Sequence, residues 1–460
     1  MRLIEPTNDP RGATARGPSV RIRVTNGVKN GARGIRTAAT VLPARLAGFF
    51  ANLGPGLTTG AADDDPSGIS TYSVTGAAFG YAPLWTAIVS FPLMVSVQLM
   101  CARLGMVTGR GLAGVVRRRF SRRVLWSACA LLVVANVFNI GADLGGMAEA
   151  TEMVTGVDSR LLVPLYAGVI VSLLFWSSYR SIARVFKWLT LVLFAYVGAG
   201  FLAKPDWSAV LHATLVPHVE LSSRYIATFV GILGTTISPY LFFWQAGQEV
   251  EEERARGRLG VSEREGATDA EIRRSNIDVS VGMFFSNTVM YFIILTTAAT
   301  LHVHGVTQVT TAQQAADALR PLAGNAAYWL FTLGIIGTGM LSVPILAGSC
   351  AYAIAEAAAW RGSLEERPHN ARRFYAVVFV ATTLGLALDF FDFNAVAMLF
   401  WSAVVNGVLA PPLIVLILLL TDDPAVMGPR CNSMWLRVLG WTTAVVMTLA
   451  AVGMVVTSVV

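Results

Sequence analysis

Charge is scarce in this chain. Asp, Glu, Lys and Arg make up 14% of its 460 residues, against 54% hydrophobic. That balance excludes disorder and is wrong for a soluble enzyme, but it fits a protein that crosses a membrane many times. Cysteine is sparse too. Cys101, Cys129, Cys350 and Cys431 lie far apart, with neither a zinc-ligand spacing nor a disulfide framework. No GxxxxGK[ST] run occurs, so ATP does not drive the chain directly and no ATPase subunit is implied. The five histidines, His212, His218, His302, His304 and His369, fall in expected loops or span ends. With no histidine inside the spans, a membrane-embedded enzyme is argued against and no cofactor is expected.

What the sequence has instead is long apolar runs. A run of about 20 residues can cross a bilayer, and eleven are legible: 46–81 (broken), 82–105, 124–150, 160–177, 182–203, 225–247 (broken), 277–301, 326–356, 374–390, 394–420 and 435–459. With the N-terminus in the cytoplasm, 31 of the 35 Arg and Lys residues fall on the cytoplasmic side, leaving Arg160, Lys204, Arg224 and Arg320 opposite. Basic flanks stay inside, so the N-terminus is expected in and the C-terminus out. The formal charge of +7 is that rule written across the loops and carries no nucleic-acid signal. Residues 1–45 are Arg-rich and hold no apolar stretch long enough for a signal peptide. They read as a disordered cytoplasmic tail or an over-long start, with weak attraction to anionic membrane lipid as the alternative.

The first run holds the densest chemistry. Asp63-Asp64-Asp65-Pro66-Ser67-Gly68 separates two stretches rich in Gly, Ala and Thr. A carboxylate at bilayer depth costs about 2.5–3.5 kcal/mol on insertion scales, so three in a row mark function. Pro66 removes a backbone donor and Gly68 accepts strained dihedrals, so the helix is expected to unwind at the acids. Unwound backbone at that depth persists only where protein buries it or where it lines a wet cavity. A transporter built from inverted repeats breaks a second helix at the matching place in its second half. Five spans on, Gly231-Ile232-Leu233-Gly234-Thr235-Thr236-Ile237-Ser238-Pro239-Tyr240 offers that break, because Pro239 frees the carbonyls around Thr235.

These residues resemble a family. Gly54-Pro55-Gly56, Asp65-Pro66-Ser67-Gly68 and Gly76-Ala77-Ala78-Phe79-Gly80-Tyr81 look like the first span of the natural-resistance-associated macrophage proteins, the NRAMP divalent-metal transporters. The likeness extends over the eleven-span organisation, residues 45–460. It implies an all-α, LeuT-like (APC) inverted-repeat bundle, with spans in residues 46–203 and 225–420 as the two repeats and 435–460 as the last span. The family's ligand Asp falls on Asp65 and its ligand Asn on Gly68. Its sixth-span Ala-Thr-Val-Met-Pro-His lands on Thr235-Thr236-Ile237-Ser238-Pro239-Tyr240. The carbonyl donor thus becomes Thr235, the ligand Met becomes Ser238 and the His becomes Tyr240. Thioethers favour transition metals, whereas carboxylate, hydroxyl and carbonyl oxygens suit Mg2+, Ca2+ and Mn2+. Mg2+ keeps several waters and wants room plus one or two carboxylates, a description met by Asp65, Asp64 and the hydroxyls of Thr235, Thr236 and Ser238. The chain resembles in particular the NRAMP-related magnesium transporters, a bacterial branch that lacks the Met.

Proton-coupled members carry an Asp-Leu-Ala-Glu-like motif in the third span. Here Asn139-Ile140-Gly141-Ala142-Asp143-Leu144-Gly145-Gly146 keeps Asp143 and puts Gly146 at the Glu position. With Tyr240 in place of His, the sixth span has no group that ordinarily titrates between pH 5 and 8. Asp143 and Asn139 are candidates for ion passage or coupling; a structural bond from Asp143 to Asn136 or Asn139 is the plain alternative. Glu149 and Glu152 read as an outer vestibule or a solvated helix end. Glu249 and Glu251–Glu253 read as a solvated face paired with Arg254, Arg256 and Arg258, or as a cation-gathering inner mouth. The expected function is import of Mg2+ and Mn2+ across a bacterial cytoplasmic membrane by alternating access, not coupled to protons. A proton-coupled Mn2+/Fe2+ symporter is the first rival. An amino-acid or organic-ion carrier is the second, though such carriers present bare Gly-rich backbone to a substrate carboxylate.

Overall fold

A computed structural model describes residues 54–459 apart from Ser178 and Asp392. The expected tail and the start of the first apolar run therefore lie outside the described residues. The described chain is helical: α1 (Pro55–Asp63), α2 (Pro66–Phe79), α3 (Trp85–Thr108), α4 (Leu112–Arg119), α5 (Arg122–Thr155), α6 (Ser159–Trp176), α7 (Tyr179–Leu189), α8 (Ala195–Leu202), α9 (Trp207–Leu215), α10 (Ser223–Thr236), α11 (Pro239–Ala255), α12 (Asp269–Thr300), α13 (Ala327–Ala358), α14 (Arg372–Leu388), α15 (Ala395–Thr421) and α16 (Met434–Val459), with shorter turns between.

Among the described residues, ten segments are long and apolar enough to cross a membrane. The remaining expected span is the first, broken one. It is present as α1 and α2, of 9 and 14 residues, each too short to cross alone. Local chemistry sets these boundaries. Pro55, Pro66 and Pro239 begin helices, where a missing N–H costs nothing. Asp65, Ser121, Ser222, Thr268 and Asn394 each accept a first-turn amide of the helix they precede, satisfying a donor that would otherwise be orphaned.

Polarity runs opposite to that of a soluble protein. Large apolar side chains such as Trp176, Leu161 and Leu449 stand on the outside, while Asp63, Asn136, Asn139, Asp143 and Gln245 are fully buried. Such a distribution fits a lipid surround. Two helix pairs meet almost backbone to backbone. A Cβ at Gly60 of α1 would lie 2.3 Å from the Gly282 backbone of α12, and one at Gly234 of α10 only 2.0 Å from the Ala403 carbonyl of α15. Without a hydrophobic force between helices in lipid, small residues of this kind give the close packing. They seat the halves that precede the two breaks.

The basic loops gather at one end of the bundle. Arg119 pairs with Asp423, Arg110 with Glu265 and Arg430 with Asp269. Exposed pairs like these add little stability, but they place the loops after α3, α11 and α15 together.

Candidate metal-ion site

Both helices break where proline required it. Asp64 and Asp65 lie between α1 and α2, and Ile237 and Ser238 between α10 and α11. Asp65 is the hub of the first break. Its Oδ1 accepts from the Gly68 amide at 2.8 Å and the Ser67 hydroxyl at 2.6 Å. Its Oδ2 accepts from Asn139 Nδ2 of α5 at 3.0 Å and faces the Tyr240 hydroxyl of α11 at 3.4 Å. The shorter bond of Tyr240 goes to the Ala62 carbonyl, at 2.8 Å. The carboxylate thus caps the positive end of α2 and ties three helices together.

The other two acids turn elsewhere. Asp63 and Asp64 both accept from the Ser286 hydroxyl of α12, at 2.6 and 3.2 Å, and Asp63 Oδ1 has no partner. Asp64 and Asp65, expected together around one ion, are held here by different helices. Among the described residues no three His, Cys, Asp or Glu side chains converge on a metal-sized space. An ion near Asp65 must therefore be held by a mixture of carboxylate, hydroxyl, carbonyl and water.

The hydroxyl residues separate into those that reach the first break and those that do not. Thr235 Oγ1 is buried without a partner, and a Cβ at Gly68 would lie 2.9 Å from it. The two positions at which the NRAMP pattern has Ala and Asn thus face each other, with the bulk exchanged. Ser238 donates to the carbonyls of Thr235 and Gly234 at 2.8 and 2.9 Å, so the carbonyl freed by Pro239 is occupied by a hydroxyl that an ion could displace. Thr236, the last residue of α10, instead bonds back to the Ile232 carbonyl of its own helix at 2.8 Å, a local way for a threonine to satisfy its hydroxyl.

Asp143 bonds neither asparagine. Its Oδ2 accepts from Ser342 of α13 at 2.8 Å, while Asn136 donates to the Leu346 carbonyl and Asn139 to Asp65. Asn139 is therefore a positioning residue for the central acid. Ser67, within the first break, and Ser286 and Ser342 complete the polar shell; the last two carried no sequence signal, since single serines in apolar runs look like packing.

Asp63, Asp64, Asp65 and Asp143 are at most 4% exposed, and no Lys or Arg bonds any of them among the described residues. Buried charge without a counter-charge is expensive. Such carboxylates call for a proton or a cation beside them.

Two acidic groups flank this centre. Glu149 and Glu152 line a cavity of about 250 Å³ with Met153, Gln313 and Tyr328, and each also accepts a backbone amide, from Ala312 and Ser159. At the opposite end, Glu251 and Glu253 pair with Arg254, Arg256 and Arg258 as expected. Glu249, Glu251 and Glu253 are buried rather than solvated, however, because α11 packs against α1, α3 and α13, while Glu252 stays partly exposed. Glu249 is withdrawn into a chain in which Thr59 donates to Gln245, and both Gln245 and Ser275 donate to Glu249.

A family model described as natural resistance-associated macrophage protein-like matches residues 56–457. The chain belongs to the Nramp family. A divalent metal cation transporter, MntH, of Verminephrobacter eiseniae is 28% identical over 405 residues, covering 85% of either chain. A transporter of the same name from Yersinia enterocolitica is 26% identical over 402 residues, covering 84% of this chain and 90% of its own. Among solved structures, the Eremococcus coleocola manganese transporter superposes with a TM-score of 0.68 at 21% identity, covering 92% of this chain and 87% of its own. Mhp1, a nucleobase-cation-symport-1 family transporter, follows at 0.51 and 14%, covering 88% and 93%. At those identities the two structures speak to fold alone, and they give this Nramp chain the all-α LeuT-like transporter bundle. As a member of a transporter family the Nramp chain is not an enzyme.

Proposed function

We propose that this Nramp chain imports divalent cations, Mg2+ first and Mn2+ second, into the bacterial cytosol by alternating access around its two helix breaks, without carrying protons. The N-terminus lies in the cytoplasm and the C-terminus outside. The segments 46–203 and 225–420 are the two repeats, preceded by a cytoplasmic tail over 1–45 and followed by the span at 435–460. The names carried by the relatives, divalent metal cation and manganese transporters, support the substrate class.

The observation that carries the reading is the donor set at the first break. Hydroxyl and amide donors hold the Asp65 carboxylate in place, and the ligand atoms offered at the two breaks are oxygens: that carboxylate, the Thr235 hydroxyl beside Gly68 and the Thr235 carbonyl that Ser238 covers. With Ser238 where the family has Met, the set is hard and favours Mg2+ or Mn2+ over soft ions. Gly68 leaves room for the waters that Mg2+ retains. Asp65, Thr235, Ser238 and Tyr240 are the residues placed around the ion; Asp64 contributes through Ser286 on the other side of the break, and Thr236 through the helix end it stabilises. Asp143, with Ser342, lies on the candidate path for ion passage. An organic acid as substrate is disfavoured, since four buried carboxylates with no basic partner among the described residues would repel it.

The test is uptake of radiolabelled Mn2+ into proteoliposomes, competed by Mg2+, Ca2+ and Zn2+. Competition by Mg2+ with little by Zn2+ is expected. Displacement by Zn2+ but not by Mg2+ would overturn the magnesium reading and leave the Mn2+/Fe2+ carrier.

A further inference from the structure

A groove opens on the lipid-facing flank of the bundle, between α5, the end of α13 and α14. Its volume is about 370 Å³, and its walls include Val133, Ile354, Val377, Val380 and Leu384. That is within the range of small-molecule sites, roughly 300–1,000 Å³. Val380 and Leu384 are half exposed, on a surface that in a membrane faces acyl chains. From Arg373, at the start of α14, to Leu384 is about 16 Å at 1.5 Å per residue, the depth of one leaflet of a hydrocarbon core about 30 Å thick.

The groove's walls are apolar throughout, the Arg373 stem included, but a cation stands just beyond the end near the α14 N-terminus. There the Arg373 guanidinium lies 5.3 Å from the ring centre of Trp360. Arg373 is exposed, and no carboxylate pairs with it among the described residues. The Glu356 carboxylate, at the end of α13, is committed to the Gly111 and Gly114 amides at the start of α4. Arg361, Arg367 and Arg372 stand in the same segment. Tryptophan and arginine mark the headgroup level, where an aromatic ring is half wet and a guanidinium reaches the polar layer from an apolar stem.

We propose that this groove holds one acyl chain of an anionic glycerophospholipid, with its phosphate on Arg373 beside Trp360. The occupant follows from the combination: an apolar slot one leaflet deep ends in a cation that lacks an anion. A helix from a second copy of this chain could fill the slot but would leave Arg373 unpaired. One basic side chain at the membrane surface favours an anionic lipid by about fivefold.

The experiment is native mass spectrometry of the full chain released from micelles containing equal phosphatidylglycerol and phosphatidylcholine with identical acyl chains. The expected result is retention of one phosphatidylglycerol, about fivefold over phosphatidylcholine. Arg373→Gln should equalise the two lipids, and Val380→Trp, which fills the slot, should reduce retention of both. Melting temperature in lipid-free detergent, unchanged in both variants, confirms that they are folded. Equal retention of the two lipids by the parent chain, or a phosphatidylglycerol preference that survives Arg373→Gln, would overturn the proposal. So would a dimer that excludes lipid.

Discussion

Asp65 accepts from Ser67, Gly68 and Asn139 and faces Tyr240 before any ion arrives, so its carboxylate is oriented in advance. Preorganisation of this kind lowers the cost of binding. Asp65→Ala should abolish metal uptake and, by removing the α2 cap, lower stability by about 0.5–2 kcal/mol; transport assays and a thermal melt on the same preparation check both. Near-normal uptake would remove Asp65 from the ion site. The facing pair Gly68 and Thr235 gives a second prediction. Gly68→Asn alone sets its Cβ 2.9 Å from Thr235 Oγ1 and should melt lower than Gly68→Asn combined with Thr235→Ala. Adding Ser238→Met to that pair introduces a soft ligand, so Cd2+ should gain and Mg2+ lose as competitors of Mn2+ uptake. Unchanged competition would mean that these side chains do not touch the ion. Asp65, Gly68 and Ser238 were legible in the sequence because a buried charge and a helix breaker act locally. The separation of Asp64 from Asp65 was not, because it depends on Ser286, more than two hundred residues away on α12.

At the level of elements, α1 is held by specific restraints at its N-terminal half. Asp278 of α12 accepts the amides of Gly54, Gly56 and Leu57 at 2.9, 2.7 and 3.2 Å, and Thr59 joins α1 to α11 through Gln245. On the proposed alternating-access reading, release of an ion toward the cytosol would need α1 to part from these neighbours, the sort of hinge motion a broken helix permits. Asp278→Ala should therefore loosen α1. Modification of an Ala62→Cys reporter by a thiol reagent should speed up several-fold when Asp278→Ala is added, measured against the reporter alone. An unchanged rate would show that the cap does not hold the helix shut. Both breaks could be read from Pro66 and Pro239, since loss of a donor and the ring clash are properties of the residue itself. The burial of Glu249, Glu251 and Glu253 could not, because a run of acids beside arginines looks the same whether solvated or covered by α1, α3 and α13.

Across the whole molecule, the question is whether metal movement carries protons, and packing bears on it directly. The third-span position where proton-coupled relatives hold Glu is Gly146, and a Cβ there would lie 2.8 Å from Leu399 Cδ1 of α15. Neighbouring Gly145 is equally tight against Asp389 Oδ1, at 2.5 Å. A longer acid at Gly146 would have to turn the Leu399 side chain aside, so the glycine fits the packing of α5 on α15. Tyr240, where relatives hold His, donates to the Ala62 carbonyl and holds the break together. That leaves Asp143 on Ser342 with no titratable partner bonded to it among the described residues, whereas a membrane proton route needs a chain of such groups. Proteoliposomes loaded with a pH-sensitive dye and given external Mg2+ or Mn2+ at fixed membrane potential should show metal uptake with a flat dye trace. Internal acidification that requires metal, and that vanishes both in empty vesicles and in Asp65→Ala, would establish proton coupling and return the chain to the symporter reading. With the trace flat, the inward force is the membrane potential acting on two charges, about 4.6 kcal/mol per ion at 100 mV, which suffices to accumulate a divalent cation without a second ion.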